Sequence, residues 1–240
     1  MLTKTIPNLF TIANLSLGIL AIILAFNNRP DLAALMVIIA VLTDGLDGKL
    51  ARALNAQSEF GKELDSLSDV ISFGVAPAFM MYVVAFQHLG AIGWAVTVLF
   101  PTFGALRLAR FNVANASPGY FIGLPIPAAG GLLSLLALFH AEISPFVMLV
   151  CTVLLAMMMV SRFQYPSFKK AGISNKIVWF AGVLFVFGAI TAHALGRGEY
   201  AKFLLIPLAL YAIYGLKKNV RLLLRRKKKE LYEVDDSVRL

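Results

Sequence analysis

The sequence predicts an all-α integral membrane protein. Of its 240 residues, 59% are hydrophobic and only 15% are charged, whereas soluble domains average about 45–50% apolar and about 25% charged residues. Charge-free stretches recur along the chain, and about 20 predominantly apolar residues are enough for one helix to cross a bilayer. The composition therefore argues against a soluble domain, a disordered chain or a fibrous protein.

Charge-free runs separated by charged or turn residues predict eight transmembrane helices. The longest run, 70–106, exceeds one crossing, and His88-Leu89-Gly90 offers a break within it. The eighth helix is interrupted by Lys202 and Pro207. The predicted helices are 9–27, 31–53, 62–86, 91–114, 124–141, 144–163, 176–195 and 200–218.

The distribution of basic residues predicts the orientation of these helices. Nineteen of the 22 Lys and Arg residues fall on one set of helix ends, and such an excess is typical of the cytoplasmic side. Both termini are then cytoplasmic, and the basic tail is interpreted either as a stop-transfer anchor or as a segment that contacts anionic lipid headgroups. The net charge of +9 is interpreted as topology and lipid contact rather than as a sign of nucleic-acid binding.

Four aspartates interrupt the hydrophobic pattern where helices 2 and 3 meet the cytoplasmic side. Asp44 and Asp47 are three residues apart on helix 2, and Asp65 and Asp69 are four apart on helix 3. Each pair shares one helix face, and the short connection makes the two helices antiparallel neighbours. The four carboxylates are therefore expected to face one another at one level, where charged groups are functional candidates by default.

Four gathered carboxylates would repel one another, and two divalent cations would neutralise them. Oxygen-only ligands favour hard ions such as Mg²⁺, Mn²⁺ or Ca²⁺, and a pair of such ions can clamp the attacking and leaving oxygens of a phosphoryl transfer. The structural alternative is that the aspartates cap helices or pair with nearby basic residues. These are Lys49, Arg52 and Lys62.

Residues between the aspartates fit the same chemistry. Gly48 and Gly61 have no Cβ, so a ligand or a neighbouring helix can approach closely. The guanidinium of Arg52 can hold a diphosphate with two hydrogen bonds. The hydroxyl of Ser58 can either reach a nucleotide or cap helix 3, and the glycines can alternatively serve helix packing.

Read in order, these residues spell Asp44-x2-Asp47-Gly48-x2-Ala51-Arg52-x8-Gly61-x3-Asp65-x3-Asp69. This pattern resembles the signature of the CDP-alcohol phosphotransferase family. The resemblance implies a six-helix transmembrane core over 1–163. Two additional helices over 164–218 and a basic cytoplasmic tail over 219–240 would follow it. It also implies a homodimer.

The resemblance further implies a mechanism in which an alcohol attacks the lipid-side phosphorus of a CDP-linked lipid and CMP leaves. Asp44, Asp47, Asp65 and Asp69 would bind two divalent cations, Mg²⁺ or Mn²⁺, and Asp69 would also be the general base. The positions that would bind the CDP-lipid are Asn8, Thr11, Gly48, Arg52, Ser58 and Gly61. Asn8 has an alternative role as the N-cap of helix 1.

The identity of the acceptor depends on a second set of motifs. The segments 58–69, 72–78, 106–112 and 121–129 are similar to those of the phosphatidylserine synthase branch, which implies CDP-diacylglycerol and L-serine as substrates. A carboxylate on the acceptor requires a cation, and Arg107 or Arg110 at the end of helix 4 can supply it. The predicted acceptor-binding residues are these two arginines and the Asn112 that follows them.

Two alternatives stay open. The same chemistry can use glycerol 3-phosphate or inositol phosphate as the acceptor, and glycerol 3-phosphate would also favour two arginines. A cation transporter is the contrasting class, but transporters place such carboxylates near the bilayer midplane on broken helices. Here the aspartates lie at one predicted membrane face, which favours the enzyme.

Overall fold

The computed structural model describes residues 2–113, 120–162 and 164–166, which fold into helices that pack around one shared core. The predicted helices 176–195 and 200–218 and the tail 219–240 lie outside the described residues. The described helices are α1 (Leu2–Phe26), α2 (Pro30–Ala53), α3 (Glu59–Asp69), α4 (Ala76–Met81), α5 (Gly90–Val113), α6 (Ile126–Ala137) and α7 (Pro145–Val160).

Local sequence explains where the first helices end and begin. Asn28 has a φ of 56°, a left-handed turn conformation that Asn tolerates better than most residues. Pro30 then occupies the first position of α2, where its missing N–H costs no hydrogen bond. The helix α1 begins seven residues earlier than its predicted start at residue 9, with Pro7 inside it.

The predicted helix 62–86 is a continuous helical rod in which α3 and α4 are joined end to end. A π-helical segment, Val70–Val75, connects them, and a second one, Tyr82–Phe86, follows α4. Pro77 lies just after the first segment. Because proline lacks an N–H and its ring clashes with the carbonyl four residues earlier, the wider turn accommodates it.

The structure adds a small β-ribbon that the sequence does not predict. Strand β1 (Tyr120–Ile122) pairs antiparallel with β2 (Gln164–Pro166). The strands are only three residues long, too short for an alternating pattern to stand out. The described residues are mostly helical, as predicted. The prediction of a purely α-helical fold is wrong in one detail, because these two strands are present.

One buried stripe on α1 packs against α2 and the α3 rod, and it consists of Pro7, Thr11, Asn14, Gly18, Ala21 and Ala25. The Ser68 hydroxyl donates to the Thr11 carbonyl oxygen at 3.2 Å, and the Ser72 hydroxyl donates to that of Asn14 at 2.9 Å. The opposite face of α1 exposes Ile19, Ile23 and Phe26, as expected for a surface that contacts lipid.

Two helical stretches of the described residues are long and apolar enough to cross a membrane, namely Pro7–Phe26 and Glu59–Val113. The helices α6 and α7 are apolar but shorter. Helix α2, interrupted by its aspartates, is not among the candidate spans. These apolar helices indicate a membrane protein, while the predicted number of eight crossings stays a prediction.

Candidate active site

Three carboxylates from two helices converge at one point of the structure. Asp44 and Asp47 extend from the last turns of α2, and Asp65 extends from α3. One carboxylate oxygen from each lies within 4.8 Å of the others. The spacing of these residues therefore places them on facing helix surfaces, as expected from the sequence.

Asp69 lies one turn further along α3, next to the carboxyl group of Asp44, and is only 6% exposed. Among the described residues, neither Asp69 Oδ1 nor Asp65 Oδ1 has a hydrogen-bond partner, although both atoms are buried. Buried polar atoms are normally paired, and isolated buried charges are costly. A set of clustered oxygen donors with unsatisfied buried atoms fits hard divalent cations.

Thr11 links α1 to this cluster. Its Oγ1 donates to Asp47 Oδ2 at 3.1 Å, and its side chain is almost fully buried. This hydrogen bond fixes the orientation of a carboxylate that already lies close to two others. The predicted CDP-lipid residue Thr11 thus also positions a candidate metal ligand.

A cavity of about 490 Å³ opens beside the carboxylates, between α1, α2 and α3. All six residues predicted to bind the CDP-lipid line it, together with Asp47 and Asp65. Those six are Asn8, Thr11, Gly48, Arg52, Ser58 and Gly61. The structure therefore brings the predicted nucleotide contacts and two metal-ligand candidates to one cavity.

Close contacts surround Gly61, which lies in the lining of this cavity. The Gly61 amide donates to Ser58 Oγ at 3.0 Å, so Ser58 is the N-cap of α3. A Cβ on Gly61 would lie 3.1 Å from both Asn8 Oδ1 and Ser58 Oγ, so these side chains would have to shift slightly to admit a larger residue. Asn8 lies well inside α1, so its alternative role as a helix N-cap is wrong.

The three predicted acceptor residues have different surroundings. Arg107 is 7% exposed, lies over the Phe111 ring at 5.9 Å and interacts electrostatically with Asp69. Arg110 Nη1 instead donates to the Val160 carbonyl oxygen at 2.8 Å, at the end of α7. The structure thus places the charge of Arg107 near the carboxylates and uses Arg110 to join α5 to α7.

Asn112, the third predicted acceptor residue, contacts α3. Its Nδ2 donates to Ser66 Oγ at 2.9 Å, and its carbonyl oxygen accepts from Lys62 Nζ at 3.4 Å. Lys62 also lines the cavity, although its charge was interpreted from the sequence only as topology or as a partner for the aspartates. Its position next to Gly61 within the signature is the signal that could have identified it.

A second residue that the sequence reasoning missed is Asn14. It is completely buried on the same stripe of α1 as Thr11. An amide inside an otherwise apolar helix is costly to bury without a partner. Its spacing of three residues from Thr11 is the signal that could have identified it.

Comparison with known proteins agrees with the aspartate signature. The family model for CDP-alcohol phosphatidyltransferases matches residues 4–160, a range that contains every candidate described above. The resemblance inferred from the aspartate signature is therefore confirmed.

Three curated relatives illustrate the similarity. A CDP-diacylglycerol–serine O-phosphatidyltransferase from Helicobacter pylori is 40% identical, covering 88% of this chain and 89% of the relative. One of the same name from Bacillus subtilis is 38% identical over 71% of this chain and 94% of the relative. An archaetidylserine synthase from Methanothermobacter thermautotrophicus is 40% identical over 71% of this chain and 73% of the relative. With the signature, the carboxylate cluster and these relatives in agreement, the chain belongs to the CDP-alcohol phosphatidyltransferase family.

Proposed function

We propose that this enzyme transfers the phosphatidyl group of CDP-diacylglycerol to the hydroxyl of L-serine, which yields phosphatidylserine and CMP. The observation that carries the proposal is the convergence of three aspartates beside a cavity lined by the rest of the family signature. Relatives named for this reaction, 35–40% identical to the chain, support serine as the acceptor.

Two divalent cations, Mg²⁺ or Mn²⁺, would be held by Asp44, Asp47, Asp65 and Asp69. The clustered oxygens and the unsatisfied buried atoms of Asp65 and Asp69 support this assignment. When bound, such ions would neutralise charge on the diphosphate and on the departing CMP. Thr11 would keep Asp47 oriented toward them.

The cavity between α1, α2 and α3 would hold the cytidine diphosphate part of the lipid. Arg52 would bind the diphosphate through its guanidinium, while Gly48 and Gly61 would let the backbone approach it. Asn8 and Ser58, which meet at Gly61, would present polar groups to the nucleotide. Lys62 adds a further positive charge to the cavity lining.

In the transfer step, Asp69 would accept the proton of the serine hydroxyl. The oxygen then attacks the lipid-side phosphorus, the bond from that phosphorus to the bridging oxygen breaks, and CMP leaves with that oxygen. Arg107 would hold the serine carboxylate, because its charge lies near Asp69. Arg110 and Asn112 would position α5 through their contacts with α7 and α3.

This proposal also includes where the protein acts. The active site and both termini would face the cytoplasm, since most of the basic residues fall on that side in the predicted topology. The catalytic core would span 1–163, followed by two further transmembrane helices over 164–218 and a basic tail over 219–240. The protein would act as a homodimer among membrane lipids.

The test is an acceptor panel on the purified protein. With CDP-diacylglycerol present, L-serine, glycerol 3-phosphate or inositol phosphate is added, and CMP release is measured. We expect CMP release only in the reaction that contains L-serine as the acceptor. Release with another acceptor only would reject serine and keep the family chemistry, whereas metal-ion flux without CMP release would favour a transporter.

A further inference from the structure

Two hydrogen bonds join α3 to the last turn of α5. Asn112 Nδ2 donates to Ser66 Oγ at 2.9 Å, and Lys62 Nζ donates to the Asn112 carbonyl oxygen at 3.4 Å. Lys62 and Ser66 are four residues apart on α3, so they share one helix face. The function proposed above gives no role to Ser66, although it lies directly after Asp65 in the chain.

The contacts between the α3 rod and α5 follow an antiparallel register. A Cβ on Gly74 would lie 3.3 Å from Pro101 Cα, so the two backbones approach closely there. Nearer the start of the rod, Asp69 interacts electrostatically with Arg107. The hydrogen bond to Ser66 is the next contact in this direction, one helical turn before Asp69. It therefore holds the two helices together beside the interaction between the carboxylate and the guanidinium.

The last turn of α5 also supports the side chain of Arg107. Arg107 is buried, and its guanidinium lies over the Phe111 ring at 5.9 Å from the ring centre. Phe111 directly precedes Asn112 in the chain. A displacement of this turn away from α3 would consequently move both the aromatic ring and the guanidinium that lies over it.

The hydroxyl of Ser66 is oriented to accept the amide of Asn112. Ser66 Oγ donates its own hydrogen to the Lys62 carbonyl oxygen at 3.1 Å, within α3. A hydroxyl oxygen has two further lone pairs, and the Asn112 amide occupies one of them. Ser16 makes the same internal bond to Ile12 on the exposed face of α1, so an internal bond of this kind does not by itself require a second helix.

We propose that Ser66 is a positioning residue for the acceptor site. By accepting the N–H of Asn112, it holds the end of α5 against α3 and keeps Arg107 beside Asp69. The anionic group of the acceptor would then be bound close to the carboxylate that receives the proton. This inference rests on the proposed function, because it takes Arg107 as the residue that holds the acceptor.

The main test compares Ser66→Ala with the wild-type protein, both as full chains in detergent. We expect the KM for L-serine to rise about 2–10-fold, the factor that corresponds to the loss of one hydrogen bond. The KM for CDP-diacylglycerol should stay close to the wild-type value, because Ser66 is not part of the cavity lining. Alanine favours a helix more than serine does, so the variant should remain folded.

The matched control is Ser16→Ala, which removes a helical serine with the same internal bond and should leave both KM values unchanged. A purely structural role for Ser66 predicts a loss of folded protein, which lowers the rate without shifting one KM against the other. An unchanged KM for serine in Ser66→Ala, or an equal rise in both KM values, would overturn the inference.

Two further variants isolate the hydrogen bond. Ser66→Thr keeps the hydroxyl and should keep a KM for serine near the wild-type value, whereas a threonine variant as impaired as Ser66→Ala would contradict the role of the hydroxyl. Asn112→Ala should raise the same KM, and the double variant should raise it no further, because both side chains act through one bond. Fully additive effects in the double variant would show that Asn112 acts on the acceptor independently of Ser66.

A failure of the proposed acceptor gives a different result. Wild-type protein that releases CMP with glycerol 3-phosphate instead of serine would reject serine as the substrate. The same variants are then compared by their KM for glycerol 3-phosphate, whose phosphate also requires a cation. Wild-type activity with serine together with a normal KM in Ser66→Ala would reject the positioning role alone.

Discussion

Asp69 differs from the other three aspartates in its surroundings. Asp47 and Asp65 line the cavity, whereas Asp69 is outside its lining. Asp69 lies next to Asp44 and within the electrostatic reach of Arg107. A general base must reach the acceptor hydroxyl rather than the nucleotide. The position of Asp69 outside the cavity lining and near Arg107 is compatible with that role.

Asp69→Asn should therefore abolish turnover while leaving CDP-diacylglycerol binding largely intact. The amide cannot accept the proton of the serine hydroxyl, and general-base catalysis typically contributes about 10²–10⁴-fold. The measurements are CMP release and equilibrium binding of labelled CDP-diacylglycerol. A rate within tenfold of wild type would contradict the general-base role.

Asp31→Asn is the matched control for that experiment. Asp31 lies in the first turn of α2, far along the helix from the cluster, and is an exposed partner of Arg29 at 3.8 Å. Exposed ion pairs contribute little to stability. Its removal should change neither turnover nor binding.

Some functional residues could be predicted from the sequence and others could not. The four aspartates could be identified because charge in an apolar helix is expensive and their spacing fixes a common face. The different surroundings of Arg107 and Arg110 could not be predicted, since both lie on the same turn of α5 and only the packing of α7 separates them. Asn14 was missed because its unpaired state depends on tertiary contacts.

The close approach of α1 to the α3 rod brings the buried stripe of α1 beside the helix that carries Asp65 and Asp69. Gly18 makes this approach possible, because a Cβ there would lie 2.5 Å from Ser72 Oγ and 2.7 Å from Ser72 Cα. The backbone atom cannot move aside as a flexible side chain would. The two helices must separate when this glycine is enlarged.

Gly18→Ala should accordingly destabilise the protein by about 1–3 kcal/mol, the usual cost of overpacking a tight contact. It should also lower turnover, because α1 would move away from the helix that carries Asp65 and Asp69. Thermal unfolding in detergent and CMP release measure the two effects. An unchanged midpoint would show that α1 is not held against Ser72 as described.

Gly48→Ala gives the contrasting result within the same protein. The nearest atom to a Cβ on Gly48 is Arg52 Nη1 at 3.6 Å, an ordinary contact, and alanine favours a helix by about 1 kcal/mol over glycine. Stability should stay equal or increase. The KM for CDP-diacylglycerol should rise, because the new methyl group lies at the lining of the cavity.

Elements were predicted well where hydrophobic runs ended at turn residues. The predicted helix 31–53 agrees with Pro30–Ala53, since Asn28 and Pro30 mark the turn. The predicted start of α1 at residue 9 was too late, because the helix continues through Pro7 back to Leu2. The π-helical segments and the β-ribbon depend on tertiary packing and on strands too short to show a pattern.

Most residues of the whole molecule are apolar, and the proposed function depends on a small number of charged residues. Its 59% hydrophobic residues make the helices suited to a bilayer and say little about chemistry. The aspartates, by contrast, are gathered from two helices that α1 holds together. Folding therefore concentrates negative charge at one place, and a bound cation would stabilise the whole assembly.

Divalent cations should for this reason raise the thermal midpoint as well as support turnover. A ligand that binds only the folded state adds about 2.7 kcal/mol of stability at a concentration 100 times its Kd. We expect EDTA to stop CMP release and lower the midpoint, and Mg²⁺ or Mn²⁺ to restore both in a concentration-dependent manner. Asp44→Asn should lose this stabilisation, whereas Asp31→Asn should keep it. Full activity in excess EDTA would rule out the proposed metal site, because the four carboxylates would then have to act without the ions that neutralise them.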